Sequence, residues 1–161
     1  MKHINFASSQ ILNKLGFDEY TEDLYMNTPI GIKGVKSKNG ETVAERTWHT
    51  GDLCQRDKEW EVEYPSPNWI PAPTVFDAVD WLEKHLGIII EPGYNREHKD
   101  WYFDIIYSSK FAQTLGENPH SFDMTWNTLE NCFEYAVNYI CHIAKANNWK
   151  TKMADYINNL K

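Results

Sequence analysis

Apolar residues recur at helical spacing in two stretches of this chain and alternate with polar ones in two others. Leu129, Cys132, Phe133, Ala136, Val137, Ile140, Cys141 and Ala144 keep an unbroken three-and-four spacing, which predicts a long helix over 128–146 with Thr128 as N-cap. Val75, Ala78, Val79, Leu82 and Leu86, widened by Trp81, predict a second helix over 74–86. Thr74 caps it, Asp77 forms a capping-box variant and Gly87 ends it. Between them, Ile88-Ile89-Ile90 opens a strand expected to turn at Glu91 to Asp100, and Trp101, Phe103, Ile105 and Tyr107 share one face of the next strand. Residues 108–124 read as irregular, with an edge strand near Ser121 to Met124. Asn147-Asn148 breaks the long helix before a short terminal one carrying Met153, Tyr156, Ile157 and Leu160.

The first half is less regular. Ser8-Ser9 is expected to cap a short helix through Ile11, Leu12 and Leu15, with Gly16 as its stop, and Phe17 leads into an extended piece around Leu24-Tyr25-Met26. Asn39-Gly40 is a two-residue hairpin signal, because both turn positions need positive φ. It centres a hairpin near 29–51 that is expected to project, since few large apolar groups flank it. Over 58–64, Trp60, Val62 and Tyr64 alternate with Glu59, Glu61 and Glu63, the pattern of a strand with one solvated face. Pro65, Pro67, Pro71 and Pro73 stiffen the connection that follows. Together these elements predict a single α+β domain over 1–161. Its antiparallel sheet of about three to five strands is flanked by helices 74–86 and 128–146, in helix-strand-strand-(strand)-helix order.

Composition changes this picture little. An apolar fraction of 42% with 14% aromatics supports a folded core, and the surplus of rings fits either that core or an interface. The net charge of −7 is spread over both halves, with eight basic against eleven acidic residues in 1–73 and eight against twelve in 74–161. No basic cluster could neutralise a run of phosphates, so direct nucleic-acid binding is not expected; an acidic mimic of nucleic acid is the inverse possibility. Three scattered cysteines, a polar amino terminus and no membrane-length apolar run point to a reducing cytoplasm and no membrane partner.

Three groups of landmarks carry a resemblance. They are Leu15-Gly16-Phe17-Asp18-Glu19; Pro71-Ala72-Pro73-Thr74 with Ala78, Trp81-Leu82 and Gly87-Ile88; and Thr128 with Glu130. In these the chain resembles small uncharacterised proteins encoded by phages, prophages and mobile elements of gut Bacteroides-type bacteria. The resemblance covers residues 9–26 and 65–142. It departs from the pattern in the 29–51 insert, in 108–124, beyond 145 and at Asn131, where a small apolar residue would fit better. It implies a fold and a genomic setting, with no activity, cofactor or catalytic residue. The helix-strand-helix order also occurs in double-stranded-RNA-binding domains, but here the last helix opens Thr128-Leu129-Glu130 rather than with basic residues.

Candidate chemistry is sparse. Cys141-His142 pairs a thiol with a base, but adjacent helical residues point about 100° apart, which leaves Cys141 in the apolar stripe and His142 outside it. Cys132 lies in the same stripe. His49 with Asp52 and Cys54, His98 with Asp100, and His120 with Asp123 each place ligand-type or acid-base residues in a loop. None has the second pair that a structural zinc site needs. Phosphate-binding glycine loops, nucleophile elbows, Cys-X-X-Cys and His-Glu-X-X-His are absent, and no cofactor is implied. The sequence favours an accessory protein that binds a host or phage protein. A small hydrolase using the loop His/Asp residues and an acidic nucleic-acid mimic are the alternatives, and edge pairing of 58–64 leaves a homo-oligomer open.

Overall fold

The first helix, α1 (Phe6–Lys14), starts earlier than the Ser8-Ser9 pair predicts. Asn5 is the N-cap, its side-chain oxygen accepting the Ser8 N–H at 2.8 Å, and both serines are buried within the helix. Asn caps as well as Ser, so the upstream residue wins the site and the helix gains part of a turn. Gly16 follows the C-cap at φ +107°, as its stop role requires.

The computed structural model describes residues 1–27, 30–37, 42–55, 60–61, 69–115, 120–121 and 124–160. It divides into two compact units, Gly16–Ala72 and Met1–Leu15 with Pro73–Lys161. The described residues make an α+β fold whose strands pair only antiparallel.

In Gly16–Ala72 the strands are β1 (Asp23–Met26), β2 (Ile30–Ser37), β3 (Thr42–Trp48), β4 (Leu53–Gln55), β5 (Trp60–Glu61) and β6 (Trp69–Pro71). They form sheets of order β4-β1-β6 and β3-β2-β5. The β2–β3 pair agrees with the Asn39-Gly40 signal, though the turn itself lies outside the described residues. Of the alternating stretch 58–64 only Trp60–Glu61 is described, paired with Ser37 and Lys36. Pro65 and Pro67 of the proline-bearing connection lie outside the described residues, and its end, Trp69–Pro71, forms a strand. It is an outer strand, where a residue without an N–H is tolerated.

In the other unit, α2 (Val75–Trp81) carries the full capping box, with the Asp77 N–H donating to Thr74 Oγ1 at 3.2 Å and the Thr74 N–H to Asp77 Oδ2 at 3.1 Å. It widens into a π-helical turn over Leu82–Leu86 and stops at Gly87, φ +66°. A Cβ there would also lie 2.7 Å from Ser109 Oγ. Strand β7 (Ile88–Asn95) pairs along its whole length with β8 (Asp100–Tyr107), so the turn expected from Glu91 falls later. Pro92 sits in the outer strand of a β7-β8-β9 sheet and withholds no donor from a ladder. Gly93 lies opposite Tyr102, whose ring occupies the space a Cβ would need. The true turn is set by Asn95, whose Oδ1 accepts the N–H groups of Glu97 at 3.0 Å and His98 at 3.1 Å.

Within 108–124, read as irregular, the described residues include a helix and a two-residue strand. Helix α3 (Lys110–Leu115) is held at its start by Ser109 Oγ, which accepts the Ala112 N–H at 2.9 Å, and it buries Ala112 and Leu115. The short β9 (His120–Ser121) pairs with Ile105 and Asp104. Helix α4 (Leu129–Ala146) begins at the Thr128 cap. Its buried stripe of Cys132, Phe133, Ala136, Val137, Ile140, Cys141 and Ala144 is the one the periodicity predicts, save for the half-buried Leu129, and the helix packs on β7 and β8. Asn148, at φ +51°, separates it from α5 (Trp149–Asn159). The amino terminus adds a contact with no sequence signal: the Lys2 N–H donates to Glu130 Oε1 at 2.6 Å, and the Val75 N–H donates to the Lys2 carbonyl at 2.9 Å. Lys2 Nζ also pairs with Glu134 and reaches Asn131 Oδ1 at 3.1 Å. Asn131, out of pattern in the resemblance, thus has a polar partner. No helix among the described residues is long and apolar enough to cross a membrane.

Candidate functional site

The predicted loop pairs resolve into turn chemistry. His49 is exposed, and its backbone N–H donates to Asp52 Oδ2 at 2.8 Å while the Asp52 N–H returns to the His49 carbonyl at 3.0 Å. The Asp52 carboxylate therefore closes the turn between β3 and β4. Cys54 is buried two residues on, opposite Leu24 in the β1–β4 ladder. His98 is exposed at the tip of the β7–β8 hairpin, and Asp100 starts β8 opposite Asn95. Asp100 Oδ1 is buried without a hydrogen-bond partner. For His120 the backbone alone is described, paired with Ile105, and Asp123 lies outside the described residues. Among the described residues no three His, Cys, Asp or Glu side chains gather as a metal site would require.

The two helix thiols are poor nucleophiles. Burial pushes the Cys141 thiol up to about 12 and the Cys132 thiol up to about 11. Cys141 Sγ donates to the Ser8 carbonyl at 3.7 Å, and His142 is exposed on the neighbouring face of α4. Ser8 Oγ donates to Asn138 Oδ1 at 2.7 Å, so no base activates that hydroxyl.

Two surface features of this unit go beyond structural need. The first is a run of aromatic rings at one end of the sheet. Registry puts Pro92 and Tyr94 on the same face as Phe103 and Trp101. Trp126 joins as a further edge: the Trp101 N–H donates to its carbonyl at 2.7 Å and its own N–H returns the bond at 2.9 Å. Tyr94 and Trp101 centroids lie 4.9 Å apart, Trp126 and Tyr135 4.9 Å, and Phe103 and Trp126 5.1 Å. Phe103 is fully buried beneath α4. Trp101, Trp126 and Tyr135 are half-buried, and Tyr94 is 47% exposed. Exposure therefore rises along the run from Phe103 to Tyr94. Of these, only Trp101 and Phe103 stand out in the sequence, by alternation. Tyr94 lies in the stretch expected to turn, and Trp126 pairs as a single bridge, too short to leave a period.

The second feature is the seam between α1 and α4. A recess of about 300 Å³ is lined by residues from Asn5 to Lys14 and from Asn138 to Lys145. A neighbouring recess of about 170 Å³ shares Ile11, Lys14 and Lys145 and reaches Trp149 and Lys150. Neither lining contains an Asp or a Glu. Compared with protein-family models, with curated proteins and with solved structures, the chain matches none.

Proposed function

We propose that the protein acts by binding another protein rather than by catalysis, as an accessory factor of a phage or mobile element in the host cytoplasm. The observation that carries this reading is the run Tyr94–Trp101–Trp126–Tyr135, two ring pairs joined by the Trp101–Trp126 backbone bridge and left half-buried to exposed. Trp and Tyr supply large contact area at low entropic cost and dominate binding hot spots. The turn roles of Asp52 and Asn95 and the raised thiol pKa values lend no support to a competing catalytic constellation. The genomic setting comes from the Ala72-Pro73-Thr74, Trp81-Leu82 and Gly87-Ile88 landmarks.

The test is affinity capture from lysate of a Bacteroides-type host, comparing the wild-type chain with Tyr94→Ser and Tyr135→Ser. A specific partner recovered by the wild type and lost from both variants, with unchanged circular dichroism, supports the reading. Background alone at micromolar bait, or equal capture by all three proteins, removes it.

A further inference from the structure

The α1–α4 seam is positively charged in a chain whose net charge is −7. Lys14 and Lys145 line both recesses, with His142 at one end and Lys150 at the other. The bland account is helix electrostatics, since Lys14 and Lys145 lie in the last turns of α1 and α4. Each C-terminus carries roughly −0.5 of a charge, so the two together offset only about one of the three lysine charges. Lys150 stands in the first turn of α5, where the dipole opposes a cation. None of the three lysines makes an ion pair or hydrogen bond among the described residues, whereas Lys2 and Lys84 both do. After the helix dipoles, the seam keeps an excess of about two positive charges with no ion-pair partner among the described residues.

Its floor is apolar. Ile11, Leu15, Ala144 and Trp149 lie between the lysines, and the fully buried Trp149 holds its indole N–H without a partner. Shape and chemistry then select among anions. A nucleic acid or an anionic bilayer would meet the acidic remainder of the chain as well as this seam. A lone phosphate needs several converging donors, but the Ser8 N–H is held by Asn5 and the Ser8 hydroxyl by Asn138. A narrow segment with both carboxylates and aliphatic side chains fits lysine rims over an apolar floor. Nine residues of α1 span about 13 Å, room for about four residues of extended chain.

We propose that this seam docks a short acidic-apolar peptide segment of a partner protein, with Lys14, Lys145 and Lys150 facing its carboxylates. The inference does not depend on the aromatic run and is tested apart from it. The probe is a fluorescein-labelled hexapeptide of alternating Glu and Leu, titrated by anisotropy at low and moderate salt. Saturable binding is expected. It should weaken about tenfold in the Lys14→Gln/Lys145→Gln double variant, fall with added salt, and persist in Tyr94→Ser. Both lysines are exposed, so circular dichroism should show the double variant folded. Equal binding of the Gln-for-Glu peptide, unchanged binding by the double variant, or no binding at millimolar protein would overturn the proposal. So would inorganic phosphate, or vesicles containing phosphatidylserine, binding with the same lysine dependence while the peptide does not bind.

Discussion

Helix α4 packs against α2, the sheet and α1, and it treats the last two differently. Toward the sheet its contacts are apolar and aromatic, with Tyr135 on Trp126 and near Phe103, while Trp101 stays half-buried and Tyr94 exposed. Against α1 it makes a partly polar seam, with Ser8 bonded to Asn138, Cys141 bonded to the Ser8 carbonyl, and lysines along the rim. Dispersion and area dominate the first face, and charge and hydrogen bonding shape the second. One helix can therefore offer two recognition surfaces of unlike chemistry, which a single partner need not share.

The largest test of that contrast is truncation of the anchor on each side. Phe103→Ala on the sheet side and Trp149→Ala at the foot of the seam both empty fully buried sites. Each should cost about 3–5 kcal/mol in urea unfolding. Tyr94→Ala, at the open end of the rings, should cost under about 1 kcal/mol, because half of that side chain is already in water. Equal losses for Phe103 and Tyr94 would contradict the difference in burial between them.

Gly87→Ala comes next. It puts a Cβ on a left-handed residue and against Ser109, where α2 hands over to the sheet. A loss of about 1–2 kcal/mol in thermal denaturation is expected. Asn5→Ala removes the α1 cap and should cost about 1 kcal/mol. Ser9→Ala removes a buried hydroxyl with no partner, so it should be neutral or slightly stabilising. A larger loss from Ser9→Ala than from Asn5→Ala would restore the serine pair as the cap.

The smallest effect at neutral pH is the thiol one. Cys141 and Cys132 have folded pKa values of about 12 and about 11, above the ordinary 9.0. Raised folded values mean that the native state holds these protons more tightly than the unfolded chain does. Their stabilising contribution is complete below pH 9 and is lost as pH rises through about 11 to about 12. Cys141→Ala should flatten the alkaline fall in stability, measured by urea midpoints from pH 8 upward. A thiol reagent at pH 7 that labels native Cys141 as fast as the unfolded chain would refute its burial.

Much of the fold was legible because it is written locally. The α4 stripe, the Thr74–Asp77 capping box, the Gly16 and Gly87 stops and the break at Asn147-Asn148 all rest on contacts within one or two turns. Misreadings came where two local signals competed. Asn5 takes the cap expected of Ser8-Ser9, and Asn95 confines to its far end the turn expected over Glu91 to Asp100. Helix α3 was missed although Ser109 stands at its start, because its six residues are too few to show a period. The candidate site was hardly legible at all, since neither the ring run nor the lysine seam is contiguous in sequence.

By itself, the sequence determined the helices that bury one stripe each, the strands that alternate, and a cysteine-bearing face too apolar for thiolate chemistry. These follow from periodicity and side-chain type. Only the tertiary structure decided that Pro92 would fall on an outer strand, that Trp126 would meet Trp101, and that Lys14 would meet Lys145 across 131 positions. The reason is physical: which edge stays free and which charges converge depend on packing between distant elements, and no local pattern records it.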